Sequence, residues 1–167
     1  MKNKELENLL PIKTERLIAR KTTIDDFDLL LKMDKQEVTQ KFLGGIKNKT
    51  KEDRIELLKR KDKSLTVYLL DGTKIGITGL NIDESSNTAS LGYIFDYDYV
   101  NNGYCTEICR KLIDIAFNIL DLDSIHADTV DGNKSSIRVL EKLGFTYQNY
   151  FIKNKTKFLN YIIKNNR

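Results

Sequence analysis

Residues 99–107 read Tyr99-Val100-Asn101-Asn102-Gly103-Tyr104-Cys105-Thr106-Glu107, and the layout of the chain turns on them. After them, Ile108, Leu112, Ile115, Ala116 and Ile119 recur along one helical face, with Glu107, Arg110, Lys111 and Asp114 on the other. Before them, Ser90 to Phe95 has the composition of a strand. The stretch is therefore a loop that leaves a strand and opens a helix over 103–120. The first amides of a helix lack intrahelical partners, and with the positive end of the dipole they make a seat for phosphate. Gly103 lets a ligand approach the backbone with no Cβ in the way, or simply eases the turn into the helix. Two other phosphate loops are excluded: there is no G-x-x-x-x-G-K-[ST], and no G-x-G-x-x-G follows a strand.

Upstream of this stretch, Asp83 to Asn87 is a polar turn, and Lys74 to Leu80 is a strand. Asp71-Gly72 signals a two-residue hairpin back to a strand at Leu65 to Leu70. Residues 1–13 form a polar lead-in and Arg16 to Arg20 a short strand. Thr23 and Asp26 make a capping box ahead of a helix whose apolar positions are Ile24, Phe27, Leu30 and Leu31. A loop at Gly44-Gly45 and a helix from Thr50 and Asp53, carrying Ile55, Leu57 and Leu58, complete that half. Downstream, Ser124 to Val130 is a strand. Ser135 to Leu143 is a helix with Ile137, Leu140 and Leu143 inward, and Gly144 caps it. Tyr147 to Lys164 closes as a hairpin. The expected class is α/β with a mixed sheet: an antiparallel meander, a strand-helix-strand crossover and a closing hairpin, in one domain spanning 1–167.

The 167 residues include 28 basic and 24 acidic side chains, a net charge of +4. The excess is mild. The runs Lys59-Arg60-Lys61 with Lys63, and Lys153, Lys155, Lys157, read as solvated faces rather than a basic stripe with interleaved aromatics. No nucleic-acid partner is expected. With one histidine, and with Cys105 and Cys109 four residues apart, no metal constellation can be assembled. Reduced thiols and a polar first segment point to the cytoplasm, and the lack of a long apolar window argues against a membrane partner.

The run Asn133-Lys134-Ser135-Ser136-Ile137-Arg138-Val139-Leu140-Glu141-Lys142-Leu143-Gly144-Phe145, with the loop and helix before it, resembles the GNAT superfamily of acetyltransferases. Within it the likeness is to the ribosomal-protein N-acetyltransferases and their relatives. Thr14-Glu15-Arg16-Leu17 with Arg20, Ile75 to Leu80, Leu91-Gly92-Tyr93, and Gly103-Tyr104 with Thr106-Glu107 follow the same order of motifs. The resemblance implies the fold, acetyl-CoA as cosubstrate, and an amine acceptor (a protein N-terminus or a small amine) on a monomer or homodimer. It places the cofactor pyrophosphate on the backbone of Asn102, Gly103, Tyr104, Cys105 and Thr106. Val100 and Cys105 depart from the family pattern there. Asn133 would hold the pantetheine arm, as well as being a good helix N-cap. Ser136 would lie near the thioester, or hydrogen-bond locally. Lys142 would reach the 3′-phosphate or remain a solvated lysine, and Phe145 reads as core.

The implied reaction is direct attack of an uncharged amine on the thioester, the oxyanion meeting the N–H of Ile94. Tyr93 and Phe95 flank that donor on a strand that pairs with the pantetheine. Relatives often carry a glutamate as base just before the Gly-Tyr pair; Ser90 occupies that region and could position a water. Asp96 and Asp98 are alternatives, on opposite faces if the strand continues, and each is otherwise a solvated strand-end carboxylate. Asp26, Asp128 and His126 are further candidates. Asp25, Asp26, Asp96 and Asp98 might together line an acidic groove. Tyr147 or Tyr150 would return a proton to the thiolate. A covalent role for Cys105, whose thiol pKa a helix N-terminus would lower, ranks below direct transfer for want of a partner. The alternative function is an acyl-CoA-binding module with weak or no catalysis.

Overall fold

A computed structural model of the chain describes residues 1–42, 50, 52–53, 55–56 and 63–167. The Gly44-Gly45 loop, Leu57, Leu58 and the run Lys59 to Lys61 lie outside the described residues. Thr50 and Asp53 do cap one another: the Thr50 N–H donates to Asp53 Oδ2 at 2.8 Å, and the Asp53 N–H to Thr50 Oγ1 at 3.2 Å.

The helices are α1 (Lys2–Asn8), α2 (Phe27–Asp34), α3 (Glu37–Phe42), α4 (Tyr104–Asp114) and α5 (Lys134–Leu143). The strands are β1 (Ile12–Lys13), β2 (Leu17–Lys21), β3 (Leu65–Leu69), β4 (Lys74–Asp83), β5 (Thr88–Phe95), β6 (Ser124–Val130), β7 (Thr146–Lys153) and β8 (Thr156–Lys164). Strand order is β1-β2-β3-β4-β5-β6-β8-β7. β5 and β6 pair in parallel, joined through α4, while β1–β2, β2–β3, β3–β4, β6–β8 and β7–β8 are antiparallel. This is the expected mixed sheet. The chain divides into two compact units, Met1–Leu9 with Leu80–Gly92 and Cys105–Arg167, and Leu10–Gly79 with Tyr93–Tyr104.

β2 and β3 lie in the second of these units and pair antiparallel, and β3 and β4 are the first two strands of the expected meander. Four residues, 70–73, separate β3 from β4 rather than the expected two, and the bond between Leu69 and Thr73 closes a three-residue turn, 70–72. The Leu69 N–H donates to the Thr73 carbonyl at 2.8 Å, and Gly72 has φ +90°. Three-residue hairpins place a left-handed residue last, and glycine takes that conformation without a Cβ clash. Leu29, Met33 and Ile77 form a buried cluster with Leu30 and Ile94 packed against it. Ile24 and Leu31, expected inward, are exposed. The reason is local: Ile24 to Asp26 is a 3₁₀ turn, so the α-helical phase starts at Phe27 and carries Leu29 and Met33 to the core.

In the first unit, α4 buries Ile108, Cys109, Leu112 and Ile113, and α5 buries Leu140 and Leu143. Ile115–Ile119 is a π turn in which the Leu120 N–H reaches the Ile115 carbonyl at 2.9 Å. The extra residue turns Ile119 outward, against expectation, and Leu120 inward. Gly144 ends α5 at φ +92°, with the Phe145 N–H donating to the Leu140 carbonyl at 3.0 Å. The polar lead-in contains a helix: α1 buries Leu6, and the Asn3 N–H and side-chain amide both donate to Glu84 Oε1 at 3.0 Å. β7 is exposed along its whole length and pairs with β8 through a turn at Asn154 and Lys155, both at positive φ.

Candidate active site

The 99–107 stretch folds as its sequence suggests. Tyr97–Tyr99 is a 3₁₀ turn, Asn101 and Gly103 have φ of +63° and +79°, and α4 starts at Tyr104. Successive amides in such a path face one way and form an anion-binding concavity. The Asn102 side chain braces the loop from within, its amide nitrogen donating to the Val100 carbonyl at 3.1 Å and the Tyr99 carbonyl at 3.3 Å. Arg16 braces it from outside. Its guanidinium donates to the Asn102 carbonyl at 3.0 Å and lies 4.6 Å from the centre of the Tyr104 ring. A Cβ on Gly103 would make only ordinary contact with that guanidinium, at 3.5 Å, so it is the left-handed φ of +79° that favours glycine here. Sequence reasoning took Arg16 as part of a motif but missed its contact with this loop.

Asp96 is buried, which corrects the solvated strand-end reading. Lys32 Nζ donates to Asp96 Oδ2 at 2.6 Å, and the Gln36 amide and Asp98 N–H donate to Oδ1 at 2.7 and 3.2 Å. Burial opposes ionisation of this carboxyl, yet the donors from Lys32, Gln36 and Asp98 together hold it below the usual carboxylate range. The strand ends at Phe95, so Asp96 and Asp98 do not continue it on alternate faces; both bind Lys32. Their hydrogen bonds raise the Lys32 ammonium well above its ordinary value. Three donors hold Asp96 ionised, which makes it a weaker base than an unpaired carboxylate.

Asp26 is also buried. Thr66, Tyr68 and the Thr23 N–H donate to it at 2.8, 2.8 and 2.9 Å, and Lys74 Nζ is 3.3 Å away. Burial pushes its pKa up, but these donors outweigh it and lower the value. The four aspartates expected to line a groove are thus divided: Asp26 inward, Asp96 and Asp98 on Lys32, and Asp25 exposed. Ile94 is half-buried in the Leu29 cluster, between half-buried Tyr93 and Phe95. Gly76 makes this possible. A Cβ there would meet the Phe95 ring at 2.7 Å and the Ile94 carbonyl at 2.9 Å.

In the other unit, Asn133 is the N-cap of α5, its Oδ1 accepting from the Ser136 N–H at 3.3 Å. Both Asn133 and Ser136 are half-buried. Lys142 is exposed; its carbonyl accepts from Arg110 at 3.0 Å. Phe145 is core. A hydrogen bond with Cys109, and burial, push the Cys105 thiol well up, the reverse of the lowering expected at a helix N-terminus. Tyr147 is exposed and meets Tyr161 edge-on at 5.8 Å, and Tyr150 is exposed. Ser90 is exposed on β5 and is the register partner of His126, which is half-buried. Asp128 is exposed and accepts from the Asn160 amide at 2.7 Å. Among the described residues, no group of three or more His, Cys, Asp or Glu is placed to hold a metal ion, and no helix is long and apolar enough to cross a membrane.

Residues 16–146 match the family model described as acetyltransferase (GNAT) domain. The chain belongs to the GNAT acetyltransferase family. Among GNAT relatives, it is 28% identical over 142 residues to the "Uncharacterized N-acetyltransferase p20" of Bacillus licheniformis, covering 79% of this chain and 80% of that one. It is 36% identical over 78 residues to the "Putative ribosomal N-acetyltransferase YdaF" of Bacillus subtilis (strain 168); that match takes in 46% of this chain and only 43% of the relative. In fold it is similar to a GNAT acetyltransferase from Bacillus anthracis, with a TM-score of 0.83, 24% identity, and coverage of 93% and 99% of the two chains. It is also similar in fold to spermidine N-acetyltransferase from Vibrio cholerae, solved in complex with CoA and spermine. There the TM-score is 0.78 at 16% identity, with 91% and 97% covered.

Proposed function

We propose that this chain transfers an acetyl group from acetyl-CoA to a primary amine by direct attack of the amine on the thioester. The observation that carries this reading is the Gly103 loop. Its backbone opens at the start of a helix, has positive φ at Asn101 and Gly103, and is braced by Arg16. That arrangement fits a pyrophosphate: amides and a helix dipole for its charge, and a glycine that takes the left-handed turn between them without strain. Acetyl-CoA would supply the activated acyl group.

In this reading the amides of Asn102 to Thr106 bind the pyrophosphate. Asn133 contacts the pantetheine arm while capping α5, and Ser136 lies near the thioester. The strand around Tyr93 and Phe95 lies along the pantetheine, and the Ile94 N–H stabilises the oxyanion. Lys142 is proposed for the 3′-phosphate and Tyr147 for protonating the leaving thiolate. The acceptor class is a protein N-terminal amine or a small amine. Both classes occur among the similar proteins: one is named a "Putative ribosomal N-acetyltransferase", and a spermidine N-acetyltransferase was solved with CoA and spermine.

Calorimetric titration of acetyl-CoA into wild type and Gly103→Glu tests the reading. Micromolar binding by wild type, lost in a variant that stays folded by circular dichroism, is the expected result. Absence of binding by the wild-type protein across a range of salt concentrations rules the reading out.

A further inference from the structure

We infer that β7 is the interface of a two-fold homodimer, in which it pairs antiparallel with β7 of a second copy of this chain. Such a dimer is independent of the acetyl-transfer reading.

The two edges of the sheet differ. One is β1, the two residues Ile12–Lys13. The other is β7, the eight residues Thr146–Lys153, every one of them exposed. Unpaired N–H and C=O groups on a sheet edge template another strand, and proteins blunt such edges by shortness, proline, a bulge or a charge. β1 is blunted by its shortness. β7 has a register shift near its start, between Tyr147 and Asn149, and a charge at its end, Lys153. Between them, Asn149, Tyr150, Phe151 and Ile152 carry no such device, and three of the four favour extended backbone.

The register with β8 fixes where these groups point. The turn at Asn154 and Lys155 closes on the Lys153–Thr156 pair. Antiparallel pairs alternate between bonded and non-bonded, so Phe151–Phe158 is bonded, while Ile152–Lys157 and Tyr150–Leu159 are not. The N–H and C=O of Tyr150 and Ile152 therefore turn away from β8, toward the open edge. Tyr147, Tyr150 and Ile152 share one face, since their β8 partners Tyr161, Leu159 and Lys157 lie two apart on that strand. All three stand open, at 50%, 57% and 68% exposure.

A strand laid antiparallel against its own copy is self-complementary, as a closed two-fold dimer requires. Charge selects that direction. Lys153 and Lys155 are exposed at the hairpin tip, whereas Lys157 Nζ lies 3.1 Å from Asp131 and 4.8 Å from the centre of the Tyr150 ring. Parallel pairing in register would set the lysines of the two tips side by side, and like charges directly opposite are destabilising. Antiparallel pairing about Tyr150 sends each Lys153 to the uncharged start of the other copy's β7, Thr146 and Tyr147. Tyr147, Tyr150, Phe151 and Ile152 together expose roughly 400 Å². That is about half of what each side of a standard interface gives, so the dimer should be reversible at micromolar concentration.

Sedimentation velocity of the wild-type protein from about 1 to about 200 µM measures the association, and the weight-average mass should rise from one chain towards two. Ile152→Pro removes an N–H that faces the open edge and breaks no bond to β8, while Ile152→Lys puts a charge into the apolar strip. Each should raise the dissociation constant about tenfold or more. Leu70→Lys, which changes a similarly exposed side chain on the β3–β4 turn, should leave it unchanged. Hydrogen exchange gives a readout that needs no variant: the Tyr150 and Ile152 amides of wild type should gain protection as concentration rises. Wild type that stays monomeric at the highest concentration overturns the inference. So does a dimer that survives both Ile152 variants, or one in which these two amides exchange as fast as in the monomer. Protection that appears only on adding a peptide acceptor assigns the edge to substrate and overturns it too.

Discussion

The Arg16 guanidinium donates to the Asn102 carbonyl at 3.0 Å while lying 4.6 Å from the centre of the Tyr104 ring, so one side chain holds the backbone before Gly103 and the aromatic ring after it. A charge-assisted hydrogen bond and an exposed cation–π contact together are worth roughly 2 kcal/mol. Arg16→Ala should therefore lower the melting temperature by a few degrees and weaken acetyl-CoA binding about tenfold. Arg16→Lys keeps the charge but loses the planar fork and should recover only part of the affinity. Calorimetry decides; an Arg16→Ala variant with wild-type affinity removes Arg16 from the cofactor loop.

Gly76 offers a second prediction, on stability rather than binding. A Cβ at this position lies 2.7 Å from the Phe95 ring and 2.9 Å from the Ile94 carbonyl, closer than packed atoms allow. Gly76→Ala should cost about 1–3 kcal/mol as the ring and strand are pushed aside. The same displacement moves the Ile94 N–H, so kcat should fall along with the urea midpoint. Unchanged stability would mean that the ring has room to swing away.

Asp26 yields a pH dependence. Its carboxyl is lowered in the folded state: burial opposes ionisation, and donors from Thr23, Tyr68, Thr66 and Lys74 outweigh it. A carboxyl lowered by folding contributes stability above its unfolded pKa of about 4, and that contribution is lost as pH falls through the folded value. Asp26→Asn should lower the unfolding free energy by about 3 kcal/mol at pH 7. The gap should narrow below about pH 4, where the carboxyl of the unfolded chain takes up a proton, and level off once pH has fallen through the lower folded value. Urea unfolding at both pH values measures it, and a gap that does not depend on pH would count against the charged network.

Much of this fold is local and so was legible. Ser124 to Val130 coincides with β6 because its residues favour extended backbone, and Asn133 caps α5 and Gly144 ends it through neighbours within four residues. The Gly103 loop was readable for the same reason. What escaped the sequence depends on distant partners. Arg16 meets Asn102 across 86 residues, and Asp96 meets Lys32 across 64. A carboxylate at a strand end reads as solvated until its lysine is known. The α2 face was misread because counting began at Ile24, inside a 3₁₀ turn of different pitch. Helix α1 escaped because its segment is polar and buries only Leu6.

The π turn at Ile115–Ile119 makes the number of residues in this segment matter as much as their kind. Helical winding advances by about 100° per residue. The wide turn absorbs one residue and delivers Leu120 and Leu122 inward, at 1% and 0% exposure, ahead of β6. Deleting Asn118, an exposed side chain, would restore regular winding and rotate everything after it by one step. Leu120 would then swing off the core, although no buried atom had been removed. A gap introduced into this stretch, in an alignment or in a redesigned chain, is therefore a rotation of the hydrophobic face rather than a shortened loop.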